Sequence, residues 1–271
     1  MGRIRPAAVA GAFYPAERRA LAAQVSALLA DAAPRAADTG DIVAPKAIIA
    51  PHAGYVYSGP IAASIYARLA PLRGRVRRVI LIGPAHRVWI RGLALPGVAA
   101  FASPLGDIEV DTEALALIEG KPQVSVRADA HEHEHCLEVQ LPFLQSVLGT
   151  FRLVPLLVGD ANSDEVAEVL DALWGGDETL VVVSSDLSHY LTQRAARTLD
   201  AATADSIVAL QPLQDHHQAC GATPINGLIA LARRRHMAVE QVDLRNSGDT
   251  AGDRARVVGY GAFAFSEAAH A

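Results

Sequence analysis

Apolar and polar positions follow two rhythms along the chain. Short runs rich in β-branched residues and leucine, each bounded by turn residues, occupy 47–50, 78–82, 151–158 and 179–183, and runs of that length read as buried strands. Between them, apolar residues recur at helical spacing over 60–69, at Leu137, Leu141, Leu144 and Leu148, and over 166–173. Alternation of this kind predicts a mostly parallel sheet covered by helices. Beyond Asp186, an alanine-rich stretch predicts a helix over 194–210, a second helix follows over 223–235, and late strands at 238–244 and 256–265 complete the sheet. The expected fold class is α/β: a single domain with a central, mostly parallel mixed β-sheet flanked by helices. Residues 30–44 look like a loop by composition but lie too near the N-terminus to divide the chain, and no internal repeat is present, so 1–271 is expected to form one domain.

Composition narrows the chemistry. With 271 residues, 51% of them hydrophobic, the chain can bury a sizeable core without staples, and its two cysteines, Cys136 and Cys220, cannot build a disulfide framework. A formal net charge of -5 without a lysine or arginine block argues against nucleic acid and anionic membranes as partners. No stretch reaches about 18 uninterrupted apolar residues, and the N-terminus has no apolar leader, so a soluble cytoplasmic protein is expected. Lys46 and Lys121 are the only lysines, and Pro122 follows the only Gly-Lys pair, which excludes a P-loop. Histidine, present ten times, is the reactive side chain in surplus.

Three histidines fall just past predicted strands. The first strand runs into Pro51-His52-Ala53-Gly54-Tyr55, the second into Pro84-Ala85-His86, and the fourth into Ser184-Ser185-Asp186-Leu187-Ser188-His189. Parallel strands put their carboxyl ends on one edge, where ligand crevices form, so these loops bring three imidazoles together. Imidazoles gathered in a crevice suit a metal or a proton-transfer site. Asp186 reads as an acceptor orienting an imidazole, as a further ligand, or as an N-cap of the following helix.

Two other segments carry candidate chemistry. The run His131-Glu132-His133-Glu134-His135 matches the literal His-Glu-x-x-His pattern of zinc proteases, but no third ligand follows at a recognisable spacing, and the alternation equally suits a solvated loop. Glu138 sits one turn into the next predicted helix, as an N-terminal charge or as a support for ligands. Cys220 precedes Gly221-Ala222-Thr223-Pro224, where Thr-Pro reads as N-cap and first helical residue. The cysteine is then a ligand or nucleophile favoured by the helix dipole, or a small buried packing residue. Cys136 offers no comparable argument, and His216, His217, His236 and His270 read as surface residues.

Six ordered segments resemble the motifs of the Memo family, and more narrowly its prokaryotic members called AmmeMemoRadiSam system protein B. They are Pro51 to Tyr55, Gly83 to His86, Glu134 to Phe143, Ser184 to His189, Cys220 to Ile225 and Val257 to Tyr260. The resemblance covers nearly the whole chain. It implies a fold like that of class III extradiol ring-cleaving dioxygenases, which are non-haem iron(II) enzymes. By position it implies that His52, His86 and Cys220 bind a metal, that His189 and Asp186 stand beside them as catalytic residues, and that His135, Glu138 and Tyr55 belong to the pocket or its supports. The relationship to the dioxygenases implies Fe(II), and a cysteine where they have a carboxylate makes the site softer, which brings in copper or zinc as alternatives. His131 stands where relatives commonly have an acidic residue, and Cys136 replaces a common serine. Three functions are compatible: a metal-dependent redox enzyme, a non-catalytic metal- or partner-binding protein working with an AMMECR-type protein and a radical SAM protein, and a zinc hydrolase.

Overall fold

The computed structural model describes residues 2–33 and 44–267. In chain order the strands are β1 (Ile4–Arg5), β2 (Ala47–Ala50), β3 (Arg78–Pro84), β4 (Leu93–Leu95), β5 (Ala100–Phe101), β6 (Ile108–Glu109), β7 (Val124–Val126), β8 (Arg152–Val158), β9 (Thr179–Ser184), β10 (His189–Leu191), β11 (Ala238–Asn246) and β12 (Val257–Ser266). The α-helices are α1 (Arg18–Ala32), α2 (Tyr55–Ala67), α3 (Thr112–Ala116), α4 (Ala128–Glu132), α5 (Leu141–Leu148), α6 (Ser163–Leu173), α7 (Gln193–Val208) and α8 (Ala222–Arg234).

Nine strands form one mixed sheet in the order β10-β12-β2-β9-β3-β8-β4-β7, with β11 also paired to β12. Its centre, β2-β9-β3-β8, is parallel throughout, while β12 joins β2 and β4 joins β8 in antiparallel fashion. The strands predicted at 47–50, 78–82, 151–158 and 179–183 are these four central ones. Their continuous apolar runs follow from burial on both faces, since successive side chains alternate across a strand. Ile48, Val79, Leu81, Leu180 and Val182 pack on one side with Leu21, Ile61 and Leu144 of α1, α2 and α5. Ile49, Ile80, Ile82, Val181 and Val183 pack on the other with Val169, Ile207 and Leu228 of α6, α7 and α8. From β2 to β3 to β8 the chain steps one way along the sheet, and from β8 back to β9 it steps the other. Right-handed crossovers in opposite directions place α2 and α6 on opposite faces.

The predicted helices appear with shifted bounds. Helix α2 begins at Tyr55 rather than at Pro60, which sits inside it. The amide that proline lacks would have met the carbonyl four residues back, at the exposed Val56. Helix α8 begins at Ala222 with Gly221 as N-cap, so Thr223 is not the cap; no side chain caps it. Helix α1 was not anticipated, because its alanine-rich sequence buries only Leu21 and Val25 and so shows a weak stripe; Glu17 caps it by accepting from the Arg19 and Ala20 amides. It carries helix through Ala32, into the stretch expected to be loop, of which 34–43 lie outside the described residues, as does His270. Among the described residues, no helix is long and apolar enough to cross a membrane.

Candidate metal centre

Because β9 lies between β2 and β3, the loops leaving these strands meet at one edge of the sheet. His52 follows β2, His86 follows β3, and Asp186 and His189 follow β9; the start of α8 adds Cys220. The ligating atoms of His52, His86 and Cys220 all lie within 4.8 Å of one another. Cys220 Sγ is 3.3 Å from His52 Nε2. An ion with bonds of about 2.0–2.3 Å in tetrahedral geometry separates its ligand atoms by roughly 3.3–3.8 Å, so this spacing is that of neighbouring ligands.

Each imidazole is held by its other nitrogen. Ser184 Oγ has one proton, which it donates to Cys136 O at 2.6 Å. The same oxygen therefore accepts from His52 Nδ1 at 2.9 Å and from Gln140 Nε2 at 2.8 Å. That fixes the His52 tautomer and leaves the Nε2 lone pair facing Cys220. His86 is held similarly: its backbone amide donates to Glu134 Oε2 at 2.7 Å, and its Nδ1 lies 3.0 Å from Glu134 Oε1. Acceptors placed behind ligating imidazoles in this way orient the ring and raise its basicity.

The electrostatics suit a neutral, ligand-ready set. Burial, with His86 and His135 close by, holds the His52 imidazole well below its ordinary value, so it remains uncharged. Burial would raise the Glu134 carboxyl, but the imidazoles of His135 and His86 outweigh it and hold the group well below the usual carboxylate range. The Cys220 thiol is pushed up to about 12 by burial and by the neighbouring Asp186, so the metal-free chain carries it protonated. Helix α8 begins beside it, and Gly221 is required there: a Cβ would stand 2.7 Å from the Ser185 side chain, whose Oγ accepts the Gly221 amide.

Around this trio opens a cleft of about 1190 Å³ whose lining includes Phe13, His135, Asp186 and His189. His135 packs edge-on to His52 at 5.4 Å, against His86 at 4.9 Å and against Phe13 at 4.9 Å between ring centres. Its Nδ1 lies 3.1 Å from Glu134 Oε1 but off the line of a hydrogen bond, and has no partner among the described residues. Asp186 is buried and accepts the His52 amide at 2.7 Å. It caps no helix, since β10 follows it and Thr192 caps α7. Burial pushes its carboxyl up, against the pull of His189. His189 Nδ1 pairs with Leu187 O at 2.8 Å, which leaves Nε2 as the basic nitrogen of the neutral ring. At the rim stand Trp89 and Tyr190, 74% and 64% exposed and so solvent-facing aromatic residues in a chain with few of them. Tyr190 has a φ of 61°, a left-handed conformation that costs a bulky residue energy and is concentrated at functional sites. The Arg256 guanidinium stacks over its ring at 5.0 Å.

Of the residues expected in the pocket or among its supports, Glu138 and Tyr55 do not line the cleft. Glu138 is fully buried but faces away from the cleft, where it accepts from Arg5, Ala8, Val9 and Tyr14. Tyr55 is buried behind the cleft, donating to Val139 O at 2.7 Å and packing on Phe143. Their motif neighbours His135 and His52 do reach the cleft, because the chain turns between them. The protease-like run does not form a helical pair: α4 ends at Glu132, His131 is buried with Nε2 on Ala94 O at 2.9 Å, and His133 is exposed. His216 and His217 are exposed as expected, yet they line the cleft mouth. Cys136 is not incidental to packing: it is wholly buried, donates to Pro84 O, and a Cβ at Gly83 would meet its Sγ at 2.9 Å. Sequence reasoning also missed Ser184, Gln140 and Glu134. Glu134 beside two histidines was the available signal, whereas Ser184 and Gln140 carry none that spacing reveals.

The family model described as Memo-like protein matches residues 5–264. A protein of Archaeoglobus fulgidus described as a MEMO1 family protein is 33% identical over 279 residues, covering 97% of this chain and 99% of its own length. Similar proteins of the same description occur in Aquifex aeolicus, at 32% identity over 95% of this chain and 97% of the relative, and in Aeropyrum pernix, at 35% over 95% and 98%. With residues 5–264 matched by the family model and relatives of the same description 32–35% identical over nearly their whole length, the chain belongs to the Memo-like family.

Proposed function

We propose that the chain is a metal-dependent redox enzyme whose ion is held by His52, His86 and Cys220, with Fe(II) as the first candidate and copper or zinc behind it. The observation that carries the reading is the convergence of three donors within 4.8 Å, two of them imidazoles whose remaining nitrogens are already engaged. Two nitrogens and a thiolate form a borderline-soft set, which suits iron, copper and zinc better than calcium or magnesium. Bound there, the metal supplies Lewis acidity and, if it is iron or copper, redox capacity.

The chain's own residues do the rest. His189, with Nδ1 committed to Leu187 O, offers Nε2 as a base that takes a proton from a substrate hydroxyl or thiol entering the cleft. Asp186, with its carboxyl raised by burial, stands next to it as a group able to hold or return that proton. Phe13 and His135 wall the inner cleft, and the volume of about 1190 Å³ accepts a substrate considerably larger than one aromatic ring. The test is oxygen consumption by anaerobically iron-loaded protein against panels of catechols, phenols and thiols. Turnover that disappears in His189→Ala while metal is retained supports the reading; no uptake with any of them overturns it.

A second reading draws on the exposed Trp89 and Tyr190 at the rim: a protein that holds a metal or a partner in the same cleft without turnover, working with an AMMECR-type protein and a radical SAM protein. Under it, His52→Ala abolishes partner capture, and no activity is lost because none exists. Zinc-activated hydrolysis is the third, and it falls if the zinc form is inert toward esters, amides and phosphoesters.

A further inference from the structure

Glu138 gathers four donors on one buried carboxylate, and all four come from a single segment at the start of the chain. Oε2 accepts Arg5 Nη1 and the Ala8 amide, each at 2.7 Å, while Oε1 accepts the Val9 amide at 2.9 Å and the Tyr14 hydroxyl at 2.6 Å. A carboxylate wholly out of water has to be paired and fully hydrogen-bonded, and this one is. The segment it holds folds back on itself, with Gly11 N on Tyr14 O and Phe13 N on Val9 O.

That segment touches the cleft at one point, and its arginine reaches the cleft's second wall. Phe13 lies against the His135 ring with centres 4.9 Å apart, and its carbonyl accepts the Tyr55 amide at the start of α2. From the same hub, Arg5 Nε donates to His131 O at 2.6 Å and Nη2 to Glu134 O. The loop carrying Glu134 and His135 is thus pinned through its backbone carbonyls, and Glu134 in turn holds both the amide and Nδ1 of His86.

We infer that Glu138, which touches no cleft group itself, is a positioning residue for two cleft imidazoles: His135 through Phe13, and His86 through Arg5 and Glu134. The inference rests on the metal-centre reading only for its consequence on ligand binding; the positioning itself concerns the metal-free chain. A carboxylate with purely structural duties would lower stability without moving those rings, whereas a positioning residue moves them in protein that remains folded.

The experiment compares wild type with Glu138→Gln, which preserves shape but removes the charge and obliges one oxygen-facing donor to meet an amide. Folding is checked by circular dichroism and by a single unfolding transition. In metal-free protein, the imidazole nitrogen resonances of His86 and His135 shift in the variant while that of the exposed His133 does not. Unchanged His86 and His135 resonances in folded variant overturn the proposal. Titration with Co(II) then reads the consequence: the folded variant binds at least about tenfold more weakly than wild type, the range seen when groups behind metal ligands are altered. Equal Co(II) affinity and an unaltered Co(II) absorption spectrum also count against it. Wild type that binds no Co(II) sinks the metal-centre reading instead, and the resonances alone then decide the positioning role. Should Glu138→Gln fail to fold, Tyr14→Phe, which removes a single donor and leaves the Arg5 pair intact, is measured in its place: a shift confined to His135 supports the proposal, and no shift overturns it.

Discussion

The two ends of the central parallel strands treat their polar residues in opposite ways. At the amino ends, charges close on the nearest backbone or on each other. Lys46 Nζ donates to Thr179 O and Gly176 O, Arg78 Nε pairs with Asp111 Oδ2 at 2.8 Å, and the amides of Arg77 and Arg78 both reach Glu178 O. At the carboxyl ends, side chains are anchored at one atom and aim another at a shared point: His52 by Ser184, His86 by Glu134, Cys220 at the start of α8. The first pattern spends its polar groups on finishing a sheet. The second keeps lone pairs available in a cleft, at a cost in desolvation that stability alone does not recover, and this is what separates a site from a well-made edge.

If the comparison is right, changes at one end and the other are separable. The largest effect expected is in acid, away from both ends. Burial holds the His131 imidazole at about 4, below its ordinary 6.5, so the unfolded chain binds the extra proton first as pH falls. The contribution is fully present above pH 6.5, is lost as pH falls toward 4, and amounts to about 3 kcal/mol across that window. Urea unfolding at pH 7.5, 5.5 and 4.5 should therefore show a shallower acid loss in His131→Leu than in wild type, with the difference unaffected by added metal. A metal-dependent difference would mean that His131 communicates with the cleft after all.

Next in size is Glu134→Gln, which weakens the hold on His86. Metal affinity should fall by about 10–100-fold, read by competition with a chromogenic chelator, and by much more than any loss of urea stability would account for. Ser184→Ala should cost about tenfold in the same assay by freeing the His52 tautomer. Smallest is Arg78→Met at the amino end. Its half-buried pair with Asp111 contributes about 1 kcal/mol to stability, and metal affinity should not change. An Arg78 variant that binds metal less well would erase the distinction between the two edges.

The features of the molecule legible in its sequence are those with a repeating signal. Four central strands announced themselves because burial on both faces leaves an unbroken apolar run, and the histidines at their ends followed from parallel geometry. Helix α1 was invisible because alanine at most positions gives no stripe when only Leu21 and Val25 are buried. The separate partners of Glu134 and Glu138 were not legible for a similar reason: four residues apart, they would share a face of one helix, but the chain between them changes direction, so Glu134 turns to the cleft and Glu138 to the N-terminal segment. Ser184 ends a strand like any small polar residue, and only the three-dimensional placement of Cys136 O and Gln140 reveals that its single proton sets the His52 tautomer. Spacing locates the candidate ligands; their supports come from segments far away in the chain, where no local pattern can point.

The central claim is that His52, His86 and Cys220 form one metal centre, and elemental analysis of untagged protein tests it most directly. Wild type purified without chelator should carry about one equivalent of a transition metal per chain, and folded Cys220→Ser should carry little or none, because a hydroxyl replaces the only sulfur donor of the set. A wild type without stoichiometric metal even after reconstitution, or a Cys220→Ser variant that keeps the full complement at undiminished affinity, would contradict the account.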